Sequence, residues 1–229
     1  QVLELMINNQ LQLQVAQRAG ITVDDQLLNR AIQNIAQGNN LSLAELRQVE
    51  TRALAQGLPL MEQAGHAAAE LILNDSRAPV RITVLVGPGN NGGDGLVCAR
   101  ELEKAGLDVN VCRIGESVDF SRADLIVDAL FGIGLARDLE GDAAALVNAV
   151  NNSGKPVLAI DTPSGLDPYR GCVRGCAIRA EKTLTFIADK PGLHTGAGRN
   201  CAGEVLLETL GLNVPCQPLQ GELIRHAPA

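Results

Sequence analysis

Three stretches of this 229-residue chain carry residue types that suit chemistry better than packing. The first is Gly87-Pro88-Gly89-Asn90-Asn91-Gly92-Gly93-Asp94-Gly95, with five glycines and two asparagines in nine residues. The apolar run Val84-Leu85-Val86 enters it and the helical pattern from Leu96 to Leu102 leaves it. Glycines bury almost nothing, accept positive φ and let a ligand approach the backbone. A glycine-rich turn that opens a helix aims free N–H groups at an anion, so this turn is expected to floor a site for a phosphate-bearing ligand. Read literally, Gly87-x-Gly89-x-x-Gly92 satisfies the dinucleotide fingerprint. The ribose-binding acid of that fingerprint has only Glu116 as a candidate. Asn90, Asn91 and Asp94 exceed what a nicotinamide-binding turn needs. Such side chains either hydrogen-bond sugar hydroxyls and hold a cation, or serve only as turn formers and helix caps.

The second stretch runs from Asp128 to Gly141. Asp128 closes an apolar strand, where an unpartnered carboxylate is costly. It calls for a cation, a ligand hydroxyl or a helix to cap. Gly132-Ile133-Gly134-Leu135-Ala136-Arg137 makes a flexible loop, whose arginine either neutralises a phosphate or is simply solvated. The third stretch is Asp161-Thr162-Pro163-Ser164-Gly165. Asp161 stands where a catalytic carboxylate would, and Ser164 offers a hydroxyl and a backbone carbonyl, although the same residues are good turn chemistry. His66, His194 and His226 show no metal spacing, and without a Gly-x-Ser-x-Gly elbow Ser164 is not assigned as a nucleophile.

The elements that must position these residues follow from hydrophobic periodicity. A helix carries Met61, Ala64, Ala67, Ala68, Leu71 and Ile72 on one side, small enough for close packing on a sheet. Strands are expected over 81–86, 108–112, 124–130, 156–160, 183–187 and 204–208, with helices over 93–105 and 142–151. Near-continuous apolar strands alternating with helices predict an α/β fold, a Rossmann-like three-layer α/β/α sandwich with a mostly parallel sheet. All three chemical stretches directly follow strands, and such sheets bind ligands beyond the carboxyl ends of their strands. Only about ten residues join the strand ending near Cys112 to the one starting near Asp124. A parallel crossover normally needs a dozen or more, so one sheet face there is expected to be open or filled from elsewhere.

The order VLVGPGNNGGDGLVCAREL, DLIVDALFGIGLARDLEG, LAIDTPSGLD and TFIADKPGLHTGAG, preceded by LPLMEQAGHAAAEL, resembles the YjeF N-terminal domain family, the NAD(P)HX epimerases. The resemblance runs from about Ser42 to Leu212. It implies interconversion of the R and S forms of hydrated NADH and NADPH, a bound K+ and a homodimer. By motif it implies substrate contacts from Asn90, Asn91, Gly92, Gly93 and Asp94. Further contacts are implied from Gly132, Ile133, Gly134, Leu135, Ala136, Arg137 and Asp138. Asn91, Asp128 and Ser164 would ligate K+, and Asp161 would be the substrate-binding acid/base. A YjeF-like module that binds nucleotide or protein without turnover is the main alternative. An ordinary NAD-dependent dehydrogenase is a weaker one.

Residues 1–41 read differently, as two short helices rich in asparagine and glutamine. MINNQLQLQVAQRAGITVDD and AIQNIAQGNNLSLAELR resemble the N-terminal helical region of the periplasmic chaperone SurA. The expected organisation is therefore a helical appendage over 1–41, the YjeF-like domain over 42–213 and a tail over 214–229. Net charge is −7 with no basic stripe, which argues against nucleic acid as a partner. No apolar run approaches membrane-spanning length. The six cysteines, Cys98, Cys112, Cys172, Cys176, Cys201 and Cys216, contain no CxxC pair and read as reduced thiols, with Cys172 and Cys176 the pair worth checking. The substrate pool that the larger unit needs places the chain in the cytoplasm.

Overall fold

The computed structural model describes residues 60–77, 79–135 and 137–211. The expected helices of residues 1–41, the tail, Cys216 and His226 lie outside the described residues. The described chain runs α1 (Leu60–Leu73), β1 (Arg81–Val86), α2 (Asn90–Lys104), β2 (Asp108–Arg113), a 3-10 turn (Phe120–Arg122) and β3 (Leu125–Ala129). It continues through α3 (Gly141–Asn152), β4 (Val157–Ile160), β5 (Lys182–Phe186), the one-turn helices α4 (Pro191–His194) and α5 (Gly198–Cys201), and β6 (Glu204–Glu208).

The strands form one six-stranded sheet in the order β2-β1-β3-β4-β5-β6, and every neighbouring pair is parallel. β1, β3 and β4 are buried on both faces, which is why they read as unbroken apolar runs instead of alternating ones. α1 and α2 cover one face, where Ala64, Ala68, Ile72, Cys98 and Leu102 pack on Val84, Val86, Val127 and Ile160. α3 covers the other, with Leu146, Val147 and Val150 against Leu85, Ile126 and Val157. After β2 the chain crosses β1 and continues from β3 in the opposite direction, so loops leaving β1 and β3 diverge and open a crevice between them.

The short β2–β3 connection covers the sheet face only at the carboxyl end of β2: Cys112 is buried, whereas Asp108 and Asn110 on the same face are exposed, as a connection without a helix leads one to expect. Its 3-10 turn buries Phe120 in the same cluster as Cys112, Leu85 and Ile126, with Ile114 and Val118 packed alongside. Asp119 caps that turn by accepting from the amide and hydroxyl of Ser121. One aromatic ring with two aliphatic neighbours does there what a crossover helix does elsewhere.

Two ionic clasps close the far, amino-terminal edge of the sheet. Asp75 accepts from the Arg77 amide and guanidinium, and Arg77 also reaches Glu181 at 2.8 Å, tying the α1–β1 turn to the start of β5. Asp124 accepts from the Arg81 guanidinium at 2.8 Å and from the Arg81 amide at 3.0 Å. Arg77 holds the Asp75 carboxyl well below its ordinary range, and Arg81 lowers Asp124 to about 2. Carboxyls lowered on folding add stability that is present above their ordinary value near 3.8 and lost as pH falls through the folded value. We expect the urea midpoint of the wild type to drop between pH 4 and pH 2. The double variant Asp75→Asn/Asp124→Asn should start lower at pH 6 and lose less over the same interval.

Candidate active site

The glycine-rich turn does its work in an unexpected way. α2 begins at Asn90, three residues ahead of the expected start, so most of the turn is the first turn and a half of the helix. None of Gly87, Gly89, Gly92, Gly93 and Gly95 adopts positive φ. What four of them provide is closeness. A Cβ on Gly87 would stand 1.7 Å from the Leu130 carbonyl oxygen, and one on Gly92 would stand 1.9 Å from the Gly87 carbonyl oxygen. A Cβ on Gly95 would meet Ala129 Cβ at 2.5 Å, and one on Gly93 would meet the Met61 side chain. The motif is thus a packing device, contrary to the expectation that its glycines bury nothing. It draws the start of α2 down onto the ends of β1 and β3. Gly89 alone of the five faces open space; as N-cap it carries no side chain to occupy the first free N–H groups of α2. An anion held there meets those groups and the positive end of the helix dipole.

Asn90 and Asn91 do not cap the helix; they are its first two residues. Asn91 is 7% exposed, and neither its Oδ1 nor its Nδ2 has a hydrogen-bond partner among the described residues. A buried amide left unpaired costs about 1–3 kcal/mol, so it calls for a partner that the described residues do not supply. Asp94 is also buried.

The loop after β3 meets this helix start. A Cβ on Gly132 would lie 2.8 Å from Asp161 Oδ2 and 3.5 Å from Asn91 Cβ and Cγ. Gly132, Asn91 and Asp161 therefore surround one point, which joins the three chemical stretches as the strand order predicts. Ile133 and Leu135 are half-buried, whereas Gly134, Arg137 and Asp138 are exposed at the rim. Ala136 lies outside the described residues.

Asp128 is fully buried and points to the α3 side of the sheet. Its carboxylate accepts from the Ser164 hydroxyl at 2.6 Å, the Ser164 amide at 2.7 Å and the Leu130 amide at 3.2 Å. The Ser164 oxygen in turn accepts from the Phe131 amide at 2.9 Å. Loss of water pushes the Asp128 carboxyl up to about 6, and these donors from Ser164 and Leu130 oppose the rise. Asp128 is thereby a fastener between the loops after β3 and β4.

Asp161 follows β4 with φ at 68°, a left-handed conformation that is strained for a residue with a side chain. Its amide donates to the Leu184 carbonyl at 2.8 Å, which holds the kink against β5. The carboxylate is buried, and its Oδ2, which faces Gly132, accepts from the Ile133 amide at 3.4 Å. Its Oδ1 accepts from the Lys190 ammonium at 2.7 Å, a buried ion pair. Lys190 was not singled out from the sequence. The available signal was a lysine in Ala188-Asp189-Lys190-Pro191-Gly192, directly after a strand at the edge where the other functional residues gather.

Comparison with known proteins agrees with this picture. The family model for the YjeF-related protein N-terminus matches residues 57–123 and 113–192, two stretches that meet at the short β2–β3 connection. The SurA N-terminal domain model matches residues 1–77, further than the forty residues that carry the resemblance in wording. An NAD(P)H-hydrate epimerase of Achromobacter xylosoxidans is 39% identical, over 75% of this chain and 95% of its own length. One of Limosilactobacillus fermentum is 37% identical, over 73% and 94%. The bifunctional NAD(P)H-hydrate repair enzyme Nnr of Coxiella burnetii is 35% identical, over 74% of this chain and 41% of its own. The crystal structure of the yeast protein ynu0 shares the fold, with a TM-score of 0.56, 21% identity and coverage of 77% of this chain and 93% of that one.

The tight approach at Gly87 generates a direct test. A methyl group at that position has backbone, not a movable side chain, in its way. We expect Gly87→Ala to cost about 1–3 kcal/mol, read as a lower urea midpoint, and to weaken binding of any ligand seated on the start of α2.

Proposed function

This chain belongs to the family of the YjeF-related protein N-terminus and the NAD(P)H-hydrate epimerases, and on that premise we propose that it interconverts the R and S forms of hydrated NADH and NADPH. The observation that carries the reading is the meeting of Asn91, Gly132 and Asp161 around one point below an uncapped helix N-terminus. The pyrophosphate of the nucleotide is held at the start of α2, which sets the damaged ring against Asp161. Inverting a carbon that bears a hydroxyl beside a ring nitrogen requires loss and return of water, or opening and closing of the ring. Both routes need one group that takes a proton and gives it back. Asp161 Oδ2 is that group: it belongs to a side chain 2% exposed, and it faces the point shared with Asn91. No electrons change hands, so no redox partner is required.

The same reading includes a K+ ion at Asn91, Asp128 and Ser164. The donor set fits: an amide, a hydroxyl, a carboxylate and nearby backbone carbonyls are hard oxygens of the kind alkali cations take. Asn91 Oδ1 is buried without a partner among the described residues, which suits an oxygen that ligates a cation. A bound K+ would supply positive charge for the nucleotide, and Asn91, Asp128 and Ser164 would hold it. The residues of the chain do the rest. Arg137 and Asp138 are exposed on the loop that carries Gly132, which supports a contact with the outer part of the nucleotide.

The test is epimerisation of purified (R)-NADHX, followed by chromatographic separation of the two forms. Conversion at a rate that falls when K+ is replaced by Na+, and that falls at least 100-fold in Asp161→Ala, is the expected outcome. An unchanged rate in Asp161→Ala would remove Asp161 from the acid/base role. Absence of turnover with the nucleotide still bound would make the domain a binding module.

A further inference from the structure

We propose that Lys190 is a positioning residue for the epimerase reaction, turning the Asp161 carboxylate so that Oδ2 alone faces the substrate. The inference rests on the epimerase reading for its chemistry, but its geometry stands by itself. The Lys190 ammonium donates to Asp161 Oδ1 at 2.7 Å, to Thr185 Oγ1 at 2.5 Å and to the Phe186 carbonyl at 3.4 Å. An ammonium has three N–H donors, and here each has its own acceptor inside the protein. Lys190 is 5% exposed and Thr185 is fully buried, so the charge is held in place by matched partners and not by solvent.

Two consequences follow. Lys190 has no donor left for substrate, so it does not hand over a proton; it acts through Asp161. Its hold on Oδ1 also leaves the two carboxylate oxygens unequal. Oδ1 is occupied by a charge-assisted bond, whereas Oδ2 has, among the described residues, only the long contact with the Ile133 amide and lies against Gly132, where any side chain would collide with it. Proton exchange with the ring therefore runs through Oδ2, which accepts the proton on one leg and returns it on the other. Lys190 keeps its three protons throughout.

The backbone supplies a further reason for such a clamp. Asp161 sits at φ 68°, and Ile187, between Phe186 and Lys190, sits at φ 70°. A β-branched residue in that region is a true outlier. The kink at Ile187 redirects the chain as it leaves β5, and Lys190 then reaches the end of the neighbouring strand β4. Strain at Asp161 and at Ile187, three residues before Lys190, persists only where the surroundings over-determine it. The Asp161 amide on the Leu184 carbonyl and the Ile187 amide on the Glu208 carbonyl, both at 2.8 Å, anchor the two kinks to the sheet.

The experiment measures kcat and KM for (R)-NADHX in the wild type, Lys190→Met and Thr185→Val, with a crystal structure of Lys190→Met. The expected result is a kcat about 100-fold lower in Lys190→Met, with KM within about threefold of wild type and Asp161 rotated away from Gly132. Thr185→Val, which removes one of the three acceptors, should lower kcat about tenfold with KM likewise unchanged. A kcat within threefold of wild type in Lys190→Met overturns the proposal. So does a loss of kcat with Asp161 unmoved, which would make Lys190 a proton donor, or a rise in KM alone. If Lys190→Met does not fold, Thr185→Val decides: the kcat drop supports the proposal, and unaltered kcat overturns it. If the wild type shows no epimerisation, the functional reading falls. The orientation of Asp161 in the crystals then decides the positioning role: rotation supports it, and an unmoved side chain overturns it.

Discussion

A carboxylate with no water around it holds the working edge of this protein together. Asp128 is fully buried, and burying a lone charge costs several kcal/mol unless donors replace the lost water. The chain provides them from two directions: the Ser164 hydroxyl and amide from the loop after β4, and the Leu130 amide from the loop after β3. Each loop needs the other to be in place, because an unmet Asp128 or an unmet Ser164 amide would be expensive. Asp161 lies on the first of these loops and Gly132 on the second. The distance between the acid and the wall it faces is therefore fixed by a side chain that touches neither.

Two of the buried carboxylates, Asp128 and Asp161, are treated in opposite ways. Asp128 meets only neutral donors, and burial raises it to about 6. Asp161 meets a full positive charge, Lys190, at 2.7 Å. A neutral cradle suits a residue whose task is to hold loops. A charged partner on one oxygen suits a residue whose other oxygen must stay in one direction. The left-handed φ of Asp161 belongs to the same arrangement: it aims the side chain back across the end of β4, toward the crevice between β1 and β3.

Much of this was legible in the sequence, for a physical reason. β1 and β6 fall where expected to the residue, and the other strands to within one residue at either end, because buried parallel strands must be apolar throughout. The convergence of Asn91, Gly132 and Asp161 follows from strand order and from loops that leave the carboxyl edge. The glycines were misread, because a missing Cβ has the same spelling whether it makes room for a ligand or for the protein's own backbone. Only the position of Leu130, forty-three residues after Gly87, reveals which. Lys190 was hidden for a related reason. A lone lysine normally reads as surface, and its burial depends on Thr185, Phe186 and Asp161 lying at the ends of adjacent strands. At the β2–β3 connection the count of residues foretells the exposed face at Asp108 and Asn110, but it cannot see that Phe120 turns inward beside Cys112.

The reach of the SurA-like match into α1 raises the question of which unit owns that helix. Its buried face answers it. Leu60, Ala64, Ala68 and Ile72 belong to the same core as Val84, Val127 and Ile160, and Gly65 is so close to α2 that a Cβ would stand 2.4 Å from Val97 Cβ. Small residues at 64, 65, 68 and 69 bring two helix backbones into near contact, a fit that depends on the particular surface of α2. α2 in turn begins at the candidate site, and Met61 of α1 lies against Gly93 in its first turn. Without α1 the start of α2 would lose its outer support, and with it the free N–H groups and Asn91 would lose their fixed position. α1 is thus part of the machinery of the α/β unit, whatever sequence precedes it.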